Sequence, residues 1–554
     1  MSSFLKARIA AALAEAYVNV RGAGPLPEPL EIRASDRPQF GDYSSNIALL
    51  AAAASAEQPR PLAQALADSL SDCASQHGIE RVEVAGPGFI NVFLSPALLH
   101  NALRHVLAEP EAFGRSSYGA SRRIQVEFVS SNPTGPLTVG HGRQAVLGDV
   151  LASLYAMIGY DVSREYYFND EGRQVDLLAE SLWVRYRETF GENREIPEDG
   201  YQGEYLKDVG IALRQEIGDR YPVFDRDTRD ALRTVAVDRM TRSIKADLAA
   251  LGVSFDTWFS EATLHARGDV DAALAALRAA DGVYEEDGAL WLRAEAHGGD
   301  KDSVLVRSDG RPTYLLVDIA YHIDKKRRGL DRVLNVQGAD HHTEQSCMKA
   351  AMRLLGFPDA WLAYAVHQFV SLKEGGETLK MSTRAGRFVT LHDLLEELGK
   401  DIVRYFMISR KPEAHLDFDL DLARSESIDN PATYIQYAHT RIASIFAKAD
   451  EEDLPKAANR LDLSSLMESE EFDLIKAVDR FPEIIENAAL SFAPHLVAEN
   501  ALQLSRALHA YYDKHRVLSD DRPLTTARLA LLRGIAVVLR QSLTLLGMDA
   551  PEAM

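Results

Sequence analysis

The chain has 554 residues, 46% of them hydrophobic and 8% aromatic, with a formal net charge of −21 at pH 7. That composition excludes disordered and fibrous classes, and the length predicts about three domains. The acidic balance excludes a non-specific basic coating of nucleic acid. It does not exclude RNA recognition, which needs only a local basic face that neutralises particular phosphates.

In chain order, residues 1–20 read as an amphipathic helix: the apolar run Ile9-Ala10-Ala11-Ala12-Leu13 is interrupted by Glu15, and no cleavage-like site follows. The unit up to about residue 112 reads as a small α+β domain. Its segments Phe40-Gly41-Asp42-Tyr43 and Gly86-Pro87-Gly88-Phe89 place an aromatic beside Gly, as loops on a rigid scaffold do. No apolar run reaches the roughly eighteen residues of a membrane-crossing helix, so no membrane partner is expected. Cys73 and Cys347 fit neither a disulfide framework nor a CxxC zinc site, and the cytoplasm is the expected compartment.

A βαβ pattern begins near Arg122. Ile124, Val126 and Phe128 alternate with Gln125 and Glu127, which predicts a strand. Asn132-Pro133-Thr134-Gly135-Pro136 predicts a turn. Apolar residues at Leu147, Val150, Leu151, Leu154 and Ile158 then keep a helical spacing that stops at Gly159, and a second strand is expected around Val162. The unit predicts an α/β fold, a doubly wound, Rossmann-like parallel sheet with ligands beyond the C-terminal ends of its strands. The charged stretch at about 170–300 reads as an insertion. The sheet pattern returns at Arg332-Val333-Leu334-Asn335-Val336, followed by Gly338-Ala339-Asp340-His341-His342. Past about 420 the pattern is all helix. The expected domains are therefore 1–112, 113–420 with the insertion, and an all-α bundle at 421–554.

Two segments carry the chemistry. In Thr138-Val139-Gly140-His141, Gly140 lets a ligand approach the backbone, the helix start offers free N–H groups, and His141 offers a donor. Far downstream, Lys380-Met381-Ser382-Thr383-Arg384-Ala385-Gly386 offers a point charge and hydroxyls on a loop. Either alone is a common surface feature; together they suit a triphosphate gripped from two sides. Between them, Tyr314, Asp318 and His322 share one helix face. A planar cationic substrate needs carboxylates and a flat polar surface, which Glu127, Asp318 and Tyr314 offer. Adjacent His341 and His342 face apart on a regular backbone, and no third metal ligand is visible.

Thr138 to His141 resembles the HIGH signature of class I aminoacyl-tRNA synthetases, and Lys380 to Arg384 resembles their KMSKS signature. Asn132-Pro133-Thr134-Gly135-Pro136-Leu137 before the first and the Met381 to Gly386 wording of the second are similar to the arginyl-tRNA synthetases. Phe40 to Tyr43 and Gly86 to Phe89 resemble that family's N-terminal domain, which contacts the tRNA elbow. Asn430-Pro431-Ala432-Thr433-Tyr434-Ile435-Gln436-Tyr437-Ala438-His439 resembles the start of its helical anticodon-binding domain. The resemblance covers nearly the whole chain.

That resemblance implies ligation of arginine to tRNA through an adenylate. ATP with Mg²⁺ is the expected co-substrate, activation requires bound tRNA, no metal is tightly held, and the enzyme is a monomer. It implies catalytic roles for Thr138, His141 and Lys380, and ATP contacts from Gly140, His141, Gly338, Asp340, Lys380, Met381 and Ser382. Arginine contacts fall on Glu127, Asn132, Tyr314, Asp318 and Gln337. The chain departs from the pattern at Thr138, where the signature has His; a hydroxyl still donates, and loss of one transition-state donor costs about 10²–10³-fold. Family members lacking the first Lys of KMSKS have a Lys upstream of HIGH. This chain has Pro136 there and keeps Lys380. Two alternatives stay open: a synthetase for glutamate or cysteine, disfavoured by the acidic pocket and missing zinc ligands, and an RNA-binding paralogue without activity.

Overall fold

The strand Arg123–Glu127 lies in the middle of a five-stranded sheet in the computed structural model, which describes residues 3–35, 37–170, 172–379, 389–455 and 457–554. Across the sheet the order is Leu362–His367, Arg332–Gly338, Arg123–Glu127, Asp161–Phe168 and Thr257–Ser260, all parallel. The chain winds outward from the first strand in one direction, then returns to wind in the other. The order therefore reverses between Arg123–Glu127 and Arg332–Gly338, where Glu127 pairs with Asn335. This is the doubly wound arrangement, and ligands gather at such a reversal.

The helix Val139–Met157 crosses between the first two strands and is buried on most of its surface, from Val139 to Tyr155. A Cβ on Gly148 would lie 2.1 Å from the Phe128 ring, so only glycine lets helix and strand approach this closely. Gln125, the polar member of an alternating pattern, is buried, because parallel sheets are covered on both faces.

The segment at 170–300 is not one block of insertion. Helices Arg173–Glu188, Tyr205–Ile217 and Arg226–Ala250 form a separate unit around Leu178, Leu182, Leu206 and Met240. Thr257–Ser260 then rejoins the main sheet as its edge strand, with Trp258 stacked on Tyr166 at 4.3 Å. Four residues are too few to display a period. A three-stranded antiparallel sheet (Val283–Glu286, Ala289–Leu292, Ser303–Val306) precedes the helix Tyr314–Arg327.

The N-terminal helix Phe4–Arg21 buries Leu5, Ile9, Leu13 and Ala16 and packs on Pro59–His77 beside a four-stranded antiparallel sheet. The helix start is fastened to the C-terminal bundle, where Leu5 N–H donates to Asp479 at 3.2 Å. The loop before the strand Tyr43–Ser45 is fastened there too, where Lys476 pairs with Asp42 at 2.8 Å. The bundle comprises Pro431–Phe446, Ser469–Asp479, Phe481–Leu490, His495–Lys514 and Arg522–Leu546. Arg522–Leu546 is long and apolar enough to cross a membrane, with mean hydropathy 1.6, but 72% of that stretch is buried inside the fold. It is the bundle's core helix.

Candidate active site

Glu127 ends the central strand, and the chain then turns through Val129 and Ser130 with φ of +66° and +42°. A β-branched residue in the left-handed region is strained, and such strain persists where surroundings over-determine it. Here they do. Ser130 Oγ donates to Glu127 Oε1 at 2.9 Å and accepts from Tyr167 N–H at 3.2 Å, while Tyr166 hydroxyl donates to Ser131 O at 2.8 Å. Asn132 follows on this pinned turn and donates to Gln174 at 2.8 Å.

Thr138 is the N-cap of the crossover helix, and its N–H donates to His141 Nδ1 at 3.1 Å. A backbone N–H only donates, so Nδ1 carries the lone pair and Nε2 carries the ring proton. Burial, reinforced by His367, pushes His141 down to about 4, which leaves a neutral imidazole with its Nε2–H free to donate. A Cβ on Gly140 would meet only Thr138 Oγ1, at 3.8 Å, and Gly140 does not have positive φ. The fold does not require glycine there; the space opens toward the cleft.

Tyr314 opens the helix Tyr314–Arg327 with its side chain exposed, and Asp318 lies one turn on. Burial alone would raise the Asp318 carboxyl, but His322 and then Lys325 outweigh it and hold it below the ordinary aspartate range. From the strand Arg332–Gly338, Gln337 accepts from Gln345 at 3.1 Å. Gln144 of the crossover helix donates to Val336 O at 2.5 Å and ties that helix to the reversal point. His341 pairs with Glu344 at 2.8 Å, which raises its pKa, whereas His342 turns to Asp300 at 3.5 Å.

These elements enclose a cleft of about 690 Å³. Glu127, Asn132, Thr138, Gly140, His141, Tyr314, Asp318, Gln337, Gly338 and Asp340 all line it. Lys380, Met381 and Ser382 lie outside the described residues. The cleft also holds polar groups that sequence reasoning missed. Glu261 follows the edge strand and accepts from Asn169 at 2.9 Å and from Tyr167, and its burial raises its pKa. His367 donates from Nδ1 to Gln368 O at 3.2 Å, which leaves Nε2 a buried acceptor without a protein partner among the described residues. One sequence signal existed: both Glu127 and Glu261 stand at strand C-terminal ends.

A parallel sheet that reverses at an acidic cleft, with a Thr-Val-Gly-His helix start on its rim, is the catalytic architecture of a class I aminoacyl-tRNA synthetase. Residues 102–415 match the family profile described as tRNA synthetases class I (R), catalytic domain. Residues 3–94 match the arginyl tRNA synthetase N terminal domain, and 435–554 the DALR anticodon binding domain. The chain is 44% identical over 526 residues to an arginine–tRNA ligase of Thermotoga maritima, covering 95% of this chain and 96% of that one. It is 43% identical to the corresponding ligase of Geobacillus thermodenitrificans, covering 100% and 99%. The solved Thermus thermophilus arginyl-tRNA synthetase superposes with a TM-score of 0.75 at 25% identity, covering 99% of this chain and all of that one. The chain belongs to the arginyl-tRNA synthetase family.

Proposed function

We propose that the cleft at the sheet reversal is where this arginine–tRNA ligase builds arginyl-adenylate. The chain is an aminoacyl-tRNA synthetase that joins arginine to tRNA at the expense of ATP. One observation carries the placement: every described candidate residue, drawn from separate stretches of sequence, lines a single cleft. The arginine side chain lies toward Asp318, Tyr314 and Glu127, its α-amino group toward Asn132, and its head group toward Gln337. ATP, carried in with Mg²⁺, lies along Gly140–His141 and against Gly338 and Asp340.

The arginine carboxylate attacks the α-phosphorus, and pyrophosphate leaves. Thr138 hydroxyl and the neutral His141 Nε2–H donate to charge developing on the phosphate oxygens, and Lys380 meets the leaving group. Catalysis is positioning and charge stabilisation, with no covalent step for the protein. The terminal ribose hydroxyl of tRNA then takes the arginyl group, and AMP departs.

A second cleft, of about 790 Å³, lies in the C-terminal bundle among Tyr437, Arg441, Lys448, Tyr512, His515 and Arg516. Aromatic faces interleaved with cations suit splayed, single-stranded bases. It supports the bundle as the anticodon-reading domain, with the exposed Phe40 and Phe89 of the N-terminal domain as a further tRNA contact. We place the enzyme in the cytoplasm as a monomer, in keeping with its buried free cysteines. Aminoacylation with labelled arginine and unfractionated tRNA tests the function. Lys380→Ala should severely slow arginine-dependent ATP–pyrophosphate exchange with tRNA present; unchanged exchange would remove Lys380 from the mechanism.

A further inference from the structure

Beneath the arginine end of the cleft runs a line of buried polar groups whose hydrogen-bond polarity has one solution. Lys325 is fully buried, with Nζ 2.6 Å from Glu127 Oε2 and 3.2 Å from Asn335 Oδ1. An ammonium only donates, so the Asn335 atom facing it is the carbonyl oxygen, and the NH₂ faces away. That NH₂ donates to His322 Nε2 at 3.0 Å. Nε2 therefore carries the lone pair and Nδ1 the proton. Nδ1–H donates to Asp318 O at 2.8 Å and lies 3.3 Å from Asp318 Oδ1.

Glu127 and Asp318 are thus treated differently. Glu127 has a protein donor on each oxygen, Ser130 on one and Lys325 on the other, and its charge is balanced by the ammonium. Asp318 is supported by a neutral ring and leaves 42% of its side chain open to the cleft. Asp318 thus presents its carboxylate to the cleft on a side chain held from behind, with the more deeply buried Glu261 as its neighbour.

We infer that His322, Asn335 and Lys325 are positioning residues for amino-acid selection: Lys325 silences Glu127, and the Asn335–His322 relay holds Asp318 for a singly charged, planar cationic side chain. A neutral isostere with a carbonyl in place of one guanidinium nitrogen brings an acceptor against an acceptor and is rejected. The inference rests on the proposed placement of arginine against Asp318.

The relay predicts an ordering among isosteric variants. The amide of Asn reaches the place of the His Nδ1–H, whereas the amide of Gln reaches the place of Nε2. His322→Gln should raise the arginine KM about three- to tenfold, the effect of losing one hydrogen bond to the backbone that carries Asp318, and His322→Asn should restore most of it. The ATP KM should stay put in both. Asn335→Asp replaces the NH₂ by a second acceptor, so Nε2 must take a proton. The ring then loses its Nδ1–H or gains a charge that cancels Asp318, and either way the arginine KM rises. Imidazole ¹⁵N shifts should report a neutral Nδ1–H tautomer for His322 in the wild type and its loss in Asn335→Asp.

A wild-type Nε2–H tautomer, or equal arginine KM values in folded His322→Gln, His322→Asn and wild-type enzyme, would overturn the relay. Asp318→Asn separates the two levels. If it also leaves the arginine KM unchanged, the placement of arginine is wrong; if it alone raises KM, only the relay is.

Discussion

Thr138 and Thr390 face each other across an antiparallel bridge, and beside it Leu391 N–H donates to Leu137 O at 2.8 Å. The strand-to-helix turn that carries His141 is therefore fastened, through backbone alone, to the chain that emerges from residues 380–388. The other flank is held as well, since Leu379 N–H donates to Leu372 O at 2.9 Å. The described residues on both sides of 380–388 are thus held by backbone hydrogen bonds, and Thr390 and Leu391 are held directly to the turn that carries His141.

Thr390 also caps the helix Leu391–Leu398. Its Oγ1 accepts from Asp393 N–H at 3.0 Å, and Asp393 returns the bond by accepting from Thr390 N–H at 2.9 Å. Thr390→Ala should cost about 1 kcal/mol of stability. Asp393→Ala on top of it should add less than it costs alone, because the two residues share one capping box. Denaturant unfolding of the singles and the double measures the coupling. Full additivity would mean that the box does not hold this flank.

His141 gives a pH prediction with a definite sign. Its folded pKa lies near 4, below the ordinary 6.5. As pH falls through the ordinary value the unfolded chain takes up this proton, and the folded chain does not until about pH 4. The ring therefore contributes a loss of stability as pH falls through that window and nothing above it. Its NMR resonances should not titrate near 6.5, and the exchange rate should not fall on raising pH through 6.5 on account of His141. A His141 titration near neutrality would show that the donor is an imidazolium. His141→Ala should lower kcat by about 10²–10³-fold.

The sheet and the cleft were legible where a local pattern reports the fold. Apolar spacing from Leu147 to Ile158 and the halt at Gly159 match the helix Val139–Met157 and the positive φ of its terminating glycine. The edge strand Thr257–Ser260 escaped because a short run of mixed aromatics shows no period. Asn335 carried a readable signal, a lone amide inside an apolar strand, and Lys325 another, two turns after Asp318 on the same helix. Neither reveals its partner, since pairing across the sheet is a tertiary fact. Glu261 and His367 gave less, because their chemistry depends on which strands lie side by side.

Asp318 and Glu127 should respond differently to loss of charge. Asp318→Asn leaves its hydrogen-bond geometry but removes the charge that meets the guanidinium. The arginine KM should rise roughly 10–100-fold with little change in stability, as for a hydrogen bond to a charged group. Glu127→Gln strands the fully buried Lys325 ammonium, which breaks a buried pair and should cost about 3–5 kcal/mol. Thermal unfolding alongside arginine titration separates the effects. Equal loss of stability in both variants would mean that the two carboxylates are held alike.

The last prediction concerns how the catalytic sheet is joined to the bundle. Arg404 is fully buried, and it donates to Asp149 Oδ2 at 2.6 Å, to Leu546 O at 2.6 Å and to Leu251 O at 3.0 Å. One guanidinium thus bonds the crossover helix, the end of the bundle's core helix and the end of the insertion's long helix. Gly547 stands where a Cβ would lie 2.2 Å from that guanidinium, with φ of +68°. Arg404→Met should leave the Asp149 carboxylate with Arg164 alone and two carbonyls without a donor, at a cost of about 3–5 kcal/mol. Gly547→Ala should be destabilising through both contact and backbone strain. Hydrogen exchange should show the loss at the C-terminal end of the core helix and at Asp149 together; protection lost at one of them alone would mean that Arg404 does not couple the two domains.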